Sequence, residues 1–429
     1  MDPTGPEPEI VIEFRTWLLQ NGARLHPDVL FATVPSGFSV IAREDIPADT
    51  TIVSCPFSLA ITPELSKRAL NELIRSSGPT NTLDEWSERQ LICAYICMHW
   101  VFGQSSSPLV LGHWPYLNTL PSPTKLFTPL HFRTSELEAL KGSNLFGATL
   151  DRQRDWRAEW TQCHTATMSA NSAWGNEFTW ERYLTASTYL SSRAFPSALL
   201  STNPSLVSTP SSHPVLLPGI DSLNHARALP VSWVVSWAHA PDEKEISLVL
   251  HNSTPRGSEL CNNYGPKPNA ELILGYGFSL PQNPDDTIVL KIGGAAPAPT
   301  PNQNALQTKF EVGRRARGAE PVWDAILGAV REGAGPDDDD VDVEDELYAA
   351  EMLGRMAQDL LARLPSSPSA EAGSIRPEVA VMLEHYLEGQ RDILQSLIQF
   401  AQDMEMHALE DAKEQGLDLV EEGDEEEHE

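Results

Sequence analysis

The chain has 429 residues, with 30 Lys and Arg against 60 Asp and Glu, a formal net charge of -30 and 41% apolar residues. That apolar content excludes a wholly disordered chain, and the length favours more than one domain. The acid excess excludes a broad basic surface for DNA or RNA and points to a basic protein or peptide as partner.

Two runs concentrate the charge: Asp337 to Glu346 and Glu410 to Glu429 together hold -18 of the total. The opening MDPTGPEPEI is acidic and Pro-rich, so no signal or transit peptide is expected, and no uncharged apolar run is long enough for a membrane span. Five cysteines, at 55, 93, 97, 163 and 261, cannot all pair, which favours a reduced compartment. Without a Lys/Arg cluster to read as an import signal, the cytoplasm is the expected location, with the nucleus second. A monomer is expected.

Apolar residues 10, 14, 17 and 18 follow helical spacing from Glu9 until Asn21-Gly22 stops the run. GFSVIAREDIPADTTIVSCP contains two β-rich runs, Phe38 to Ala42 and Thr50 to Ser54, which read as a hairpin. Residues 67–104 and 151–194 carry long helical spacing, interrupted by the Pro-studded Pro108 to Pro129, and read as a largely helical insertion. Strand character returns at Val231 to Trp237 and Ile246 to His251, with the turn-forming Pro241-Asp242 between them. A short strand, Thr287 to Ile292, precedes the linker-like GGAAPAPTPNQN, which places a domain boundary near 293–303. Beyond it, two amphipathic stripes, Leu347 to Leu364 and Val379 to Ala401, predict a helical domain with 337–346 as an acidic loop and a frayed, solvated acidic tail.

The usual glycine-rich nucleotide loops, the G-x-S-x-G nucleophile elbow and H-E-x-x-H are all missing. Cys93, Cys97 and His99 lie in LICAYICMHW, whose apolar helical spacing favours buried helix cysteines over a metal site, and no metal is expected. Four short segments stand out instead. Ser36-Gly37-Phe38-Ser39 is a glycine turn feeding a strand, where backbone can approach a ligand. Ser192-Arg193-Ala194-Phe195-Pro196 ends an apolar helical run with a cation. Asp221-Ser222-Leu223-Asn224-His225 places polar groups after the apolar LPGI. Finally, Gly257 to Gly265 (GSELCNNYG) is followed closely by Asn269 to Phe278 (NAELILGYGF). Singly, each is more often an ordinary turn or helix end.

In this order the segments resemble the SET-domain methyltransferases of the Rubisco large-subunit methyltransferase type, whose pattern runs EGxGxxAxxDIxxGExxxxVP, SRxF, DxxNH, then GEExxxxYGxxxNxELxxxYGF. The resemblance spans about Phe14 to the C-terminal helices, and is nearest to fungal enzymes that methylate ribosomal-protein lysines. It implies an α+β chain: a SET-domain β-fold with a helical insertion, followed by an all-α C-terminal substrate-binding-type domain. Residues 1–60 would hold the N-terminal helix and the first part of the SET domain, 61–210 the insertion, 211–292 the second part with the active site, and 303–429 the helical domain.

The implied activity is protein-lysine N-methylation from S-adenosylmethionine, on a basic protein, with a ribosomal protein the expected substrate. Tyr264 matches the catalytic tyrosine. Asn224 and His225 match the pair that lies against the cofactor, the Asn side chain on the methionine amino group and His225 offering backbone to the adenine edge. Arg193 would face the methionine carboxylate, and Asp221 would line the acceptor channel or order its loop. Tyr276, Gly277 and Phe278 would cover adenine and sulfonium, and Ser36, Gly37 and Phe38 would offer backbone contacts. Two departures stand out: Ser36-Gly37-Phe38-Ser39 replaces Glu-Gly-x-Gly, losing the acid and the second glycine, and Gly257-Ser258-Glu259 replaces Gly-Glu-Glu. A silent SET-fold scaffold and a protein-histidine methyltransferase are the competing readings.

Overall fold

A computed structural model of the protein describes residues 5–75, 81–237, 243–292, 309–334, 343–366 and 374–416. In chain order the helices are α1 (Glu9–Gln20), α2 (Pro63–Arg75), α3 (Glu88–Phe102), α4 (Trp114–Leu117), α5 (Thr134–Glu138), α6 (Asn144–Ala170), α7 (Ser172–Glu177), α8 (Trp180–Arg193), α9 (Asn269–Glu271), α10 (Glu320–Ala334), α11 (Val343–Arg363) and α12 (Pro377–Gln415). The strands are β1 (Arg24–Leu25), β2 (Val29–Val34), β3 (Gly37–Ala42), β4 (Thr50–Pro56), β5 (Phe195–Pro196), β6 (Pro214–Val215), β7 (Asn224–His225), β8 (Val231–Trp237), β9 (Lys244–Leu250), β10 (Cys261–Asn262), β11 (Thr287–Lys291) and β12 (Lys309–Gly313). Two compact units result. One comprises Met1–His131, Thr149–Pro266 and Ile273–Gly277, and the other Phe132–Ala148, Lys267–Leu272 and Phe278–Glu429.

In the first unit a four-stranded sheet runs β1-β4-β9-β8, and β2 with β3 forms a separate hairpin. The expected pairing of Phe38 to Ala42 with Thr50 to Ser54 does not form. β3 pairs with β2 through Val34 opposite Gly37, while β4 pairs with β1 and β9. The reason is local: Pro35-Ser36 makes a two-residue connection that closes β2 on β3, whereas Asp49, at φ 59, turns the chain into another sheet. The β8–β9 pair forms as expected, and the turn assigned to Pro241-Asp242 lies outside the described residues.

α3 starts from a capping box, in which the Ser87 hydroxyl accepts from the Gln90 amide and the Gln90 side chain accepts from the Ser87 amide. α8 starts from Thr179, whose hydroxyl accepts from the Arg182 amide. Phe14, Leu18, Val40, Ile52, Tyr95, Tyr116, Tyr183, Ile246, Leu248 and Leu260 join one buried core. Cys93, Cys97 and Cys163 are buried in it, and all five cysteines are free thiols. His99 lies there too, with Nδ1 on the Tyr95 carbonyl. Among the described residues no cluster of three or more His, Cys, Asp or Glu is arranged for a metal, and no helix is long and apolar enough to cross a membrane.

The second unit buries Ile288, Leu290, Val312, Trp323, Leu353, Leu394 and Leu397 between the β11–β12 hairpin and helices α10, α11 and α12. A two-stranded hairpin accompanies its helices, and β11 and β12, on either side of the expected linker, pair with each other in this unit. The linker-like segment itself lies outside the described residues. Glu344, Asp345 and Glu346 are not loop but the first turn of α11, where the positive end of the helix dipole favours acids. The tail is likewise helical as far as Gln415. Two ionic anchors organise this unit. Glu136, 0% exposed, accepts from Arg376 Nε at 2.8 Å and Nη2 at 2.7 Å. Asp286 accepts from the Asn269 amide at 2.7 Å and lies 3.3 Å from Arg314 Nη2, which also meets Glu388 at 2.6 Å.

Candidate active site

The site is built where two short strands run side by side. β7 and β10 are parallel, with Cys261 opposite Asn224 and Asn262 opposite His225, and the Ala226 amide donates to the Asn262 carbonyl at 2.8 Å. Two-residue strands hold little by themselves. The chain ahead of β10 is therefore laid along β3. Gly257 N donates to Ala42 O at 2.8 Å, Ala42 N to Ser258 O at 2.9 Å and Leu260 N to Val40 O at 2.8 Å.

This arrangement sets Tyr264 beside His225. The Tyr264 hydroxyl donates to the Leu223 carbonyl at 2.8 Å, and its amide donates to His225 Nδ1 at 3.0 Å. The Tyr264 ring is stacked between His225, at 5.1 Å between centroids, and Tyr276, at 5.2 Å. Burial pushes the Tyr264 hydroxyl well above the usual phenol range, with nearby Arg193 acting against the shift. The group is therefore a protonated donor at neutral pH. Burial, and secondarily Glu259, pushes the Cys261 thiol up to about 12, so the cysteine beside the site is not a thiolate nucleophile.

Arg193, at the C-terminal end of α8, donates from Nη1 to the Asp221 carbonyl at 2.9 Å and lies 3.5 Å from its carboxylate. Tyr116 of α4 donates to the same carboxylate oxygen, Oδ2, at 2.6 Å. The Asp221 side chain is 1% exposed, and its Oδ1 is buried with no hydrogen-bond partner. The Asp221 carboxylate is turned inward, onto Arg193 and Tyr116. Burial raises its pKa, while Arg193 and the Tyr116 hydroxyl hold it down.

Asn224 is exposed at the crossing, and its Nδ2 donates to Glu259 Oε1 at 2.7 Å. The same oxygen accepts from the buried Ser39 hydroxyl at 2.6 Å. Ser36 is exposed at the tip of the β2–β3 hairpin, and Gly37, at φ +136, lies against Pro121. Gly277 takes φ +80, and a Cβ there would stand 2.9 Å from Phe127 C and 3.0 Å from Thr128 N. Only glycine fits. Phe278 opens the next stretch of the second unit.

Direct contacts thus join Arg193 to Asp221, and Tyr264 to His225 and Tyr276, while Asn224 meets the β2–β3 hairpin through Glu259 and Ser39. Sequence reasoning passed over Glu259, Tyr116 and the Leu223 carbonyl. The available signal for Glu259 was its place in the motif next to a changed neighbour. Tyr116 and a backbone carbonyl leave no motif at all.

The chain folds like the crystal structure of the SET domain of LSMT bound to lysine and AdoHcy, with a TM-score of 0.72 at 18% identity, covering 96% of this chain and 98% of that one. No family model matches. Ribosomal lysine N-methyltransferase set10 of Schizosaccharomyces pombe is 33% identical over 297 residues, 67% of this chain and 49% of that protein. The chain has the SET-domain fold and is similar in sequence to SET-domain protein methyltransferases. Protein-lysine N-methyltransferase EFM1 of Saccharomyces cerevisiae is 25% identical over 299 residues, 61% of this chain and 48% of its own length. This SET protein therefore spans about half the length of the curated relatives it matches.

The donor set of the SET site suits a cofactor that carries an ammonium, a carboxylate and a sulfonium. With Nδ2 held by a carboxylate, Asn224 is left with an acceptor oxygen for an ammonium. Arg193 brings the site a guanidinium for a carboxylate, and the Tyr264–Tyr276 pair offers aromatic faces to a cation or a purine.

Proposed function

We propose that this protein transfers a methyl group from S-adenosylmethionine to the side-chain amine of a lysine in a basic protein, with a ribosomal protein as the first candidate. The observation that carries the reading is the Tyr264 hydroxyl fixed on the Leu223 carbonyl, directly before Asn224-His225. The name of the relative set10 supports the choice of substrate class.

When bound, S-adenosylmethionine supplies an electrophilic methyl on a sulfonium. In this reading Asn224 and Arg193 hold its amino-acid end, while Tyr276 and the hairpin backbone at Ser36 to Phe38 border the rest. Tyr264 acts on the acceptor. Its only O–H is committed to the Leu223 carbonyl, so its oxygen faces the incoming amine as an acceptor and orients the N–H away from the attacking lone pair. Holding amine and methyl in line is most of the rate advantage. The amine attacks only when neutral, and an apolar setting beside the Tyr264 and Tyr276 rings favours loss of its proton to solvent before reaction. The net charge of -30 suits a lysine-rich partner, and a cytoplasmic site of action belongs to the same proposal.

Calorimetric binding of S-adenosylmethionine by the full chain, followed by transfer of labelled methyl to ribosomal-protein extract and mass spectrometry of the product, tests the proposal. Methyl-lysine in the labelled peptide is the expected result. Methyl-histidine replaces the acceptor, and no binding at millimolar cofactor leaves a silent scaffold in place of the enzyme.

A further inference from the structure

The loss of the second glycine of the hairpin motif to Ser39 has a structural counterpart 220 residues away. Ser39 is 1% exposed, and its hydroxyl donates to Glu259 Oε1 at 2.6 Å, the oxygen that also accepts from Asn224 Nδ2 at 2.7 Å. The contact follows from register. Ile41 bridges Glu259, and Cys261 pairs with Asn224, so Glu259 lies diagonally from Ser39 on one side and from Asn224 on the other.

The chemistry of the three groups differs in one decisive way. A carboxylate only accepts, a hydroxyl does either, and a primary amide has one end of each kind. Facing a carboxylate, the Asn224 amide has a single choice, NH2 inward and carbonyl oxygen outward. A neutral partner would tolerate both orientations. The hydroxyl on the same oxygen fixes where that carboxylate stands.

We propose that Glu259 is a positioning residue for cofactor binding: together with Ser39 it locks the Asn224 amide with its oxygen toward the ligand's ammonium, a role that rests on the methyltransferase reading above. The lock selects a cationic amino-acid end. It also makes Ser39 a working part of this chain's site, in place of the glycine that the family pattern has there.

The test uses the full chain in four forms: wild type, Glu259→Gln, Ser39→Ala and Asn224→Ala, plus the Glu259→Gln/Asn224→Ala double variant. Calorimetry with S-adenosylmethionine is expected to show Kd rising about tenfold in Glu259→Gln and about threefold in Ser39→Ala, as for one charge-assisted and one shared hydrogen bond. With saturating cofactor, kcat stays within about twofold, which a general loosening of the fold would not give. In the Asn224→Ala background Glu259→Gln changes Kd by less than about twofold, because a residue acting through Asn224 has nothing left to act on. Independent, multiplying effects, or a Glu259→Gln Kd equal to wild type, overturn the proposal. A second readout needs no cofactor. The nitrogen-15 side-chain amide signal that disappears in Asn224→Ala should shift and exchange faster in both Glu259→Gln and Ser39→Ala, and an unmoved signal refutes the lock. If wild type binds no S-adenosylmethionine, the methyltransferase reading falls, while the amide signal still reports whether Glu259 holds Asn224.

Discussion

Replacing Tyr264 by Phe removes one oxygen and leaves the ring in place. The ring lies at 5.1 Å from His225 and 5.2 Å from Tyr276, interplanar angles 25° and 28°, so stacking holds it without the hydroxyl. What is lost is the 2.8 Å bond to the Leu223 carbonyl and the acceptor it orients. For stability that is one hydrogen bond, about 1 kcal/mol. For turnover it is a preorganised group at the point of transfer, and removing such a group costs about 100 to 1000-fold in kcat. Single-turnover transfer of labelled methyl, with Kd for S-adenosylmethionine by calorimetry, separates the two. Loss in kcat with Kd inside about threefold is expected. A kcat within tenfold of wild type, or a Kd that worsens as much as kcat, refutes the argument, since Tyr264 would then be spectator or scaffold.

Three further outcomes follow from the packing. Gly277→Ala combines φ +80 with a Cβ 2.9 Å from Phe127 C and 3.0 Å from Thr128 N, backbone that cannot turn aside; it should lower the thermal midpoint, by at least about 2 kcal/mol of stability, and an unchanged midpoint would show the loop to be pliable. Arg376→Met strips Nε and Nη2 from Glu136, a carboxylate 0% exposed, and should cost about 3 to 5 kcal/mol in urea unfolding, with a loss under 1 kcal/mol counting against the anchor. Burial lowers His99 to about 3 and His113 to about 4 from an unfolded value of 6.5, so both stay neutral in the fold. The unfolded chain takes up their protons first, and the stability they add above pH 6.5 is lost as pH falls from there toward 4. His113→Gln should flatten the pH dependence of the urea midpoint across that window by about one proton, and an identical slope would exclude His113 as a source.

Much of this site was legible because its parts are short and local. Arg193 ends α8 in SRAFP, Asn224-His225 closes DSLNH and Tyr264 ends NNYG, and each motif fixes its own backbone. The amphipathic stripes gave α11 and α12 for the same reason, since helical periodicity is written within a few residues. Pairing partners were not legible. β3 looked ready for β4, yet took β2, because the choice lay in a two-residue turn and in sheet neighbours far along the chain. The acids 344 to 346 read as loop by charge, although a helix start stabilises that charge. Residues 309–334 carried no marked motif and became β12 and α10.

The departure at Ser36 to Ser39 shows why a lost motif residue is a poor guide to lost function. By sequence, replacing a glycine there reads as damage to a cofactor loop. In the fold, Ser39 points into a contact with Glu259, and that contact reaches Asn224 on a strand from a third part of the chain. β7 and β10 are too short to fix a side chain by backbone alone. Their precision is borrowed from β3, through the Leu260 to Val40 and Ala42 to Ser258 bonds, and from side chains that cross the same seam. A glycine at 39 could supply the backbone bonds but no hydroxyl, so Glu259 would lose one of the two donors that fix its oxygen. The substitution therefore adds a restraint at the one place where the site depends on side chains to hold its register.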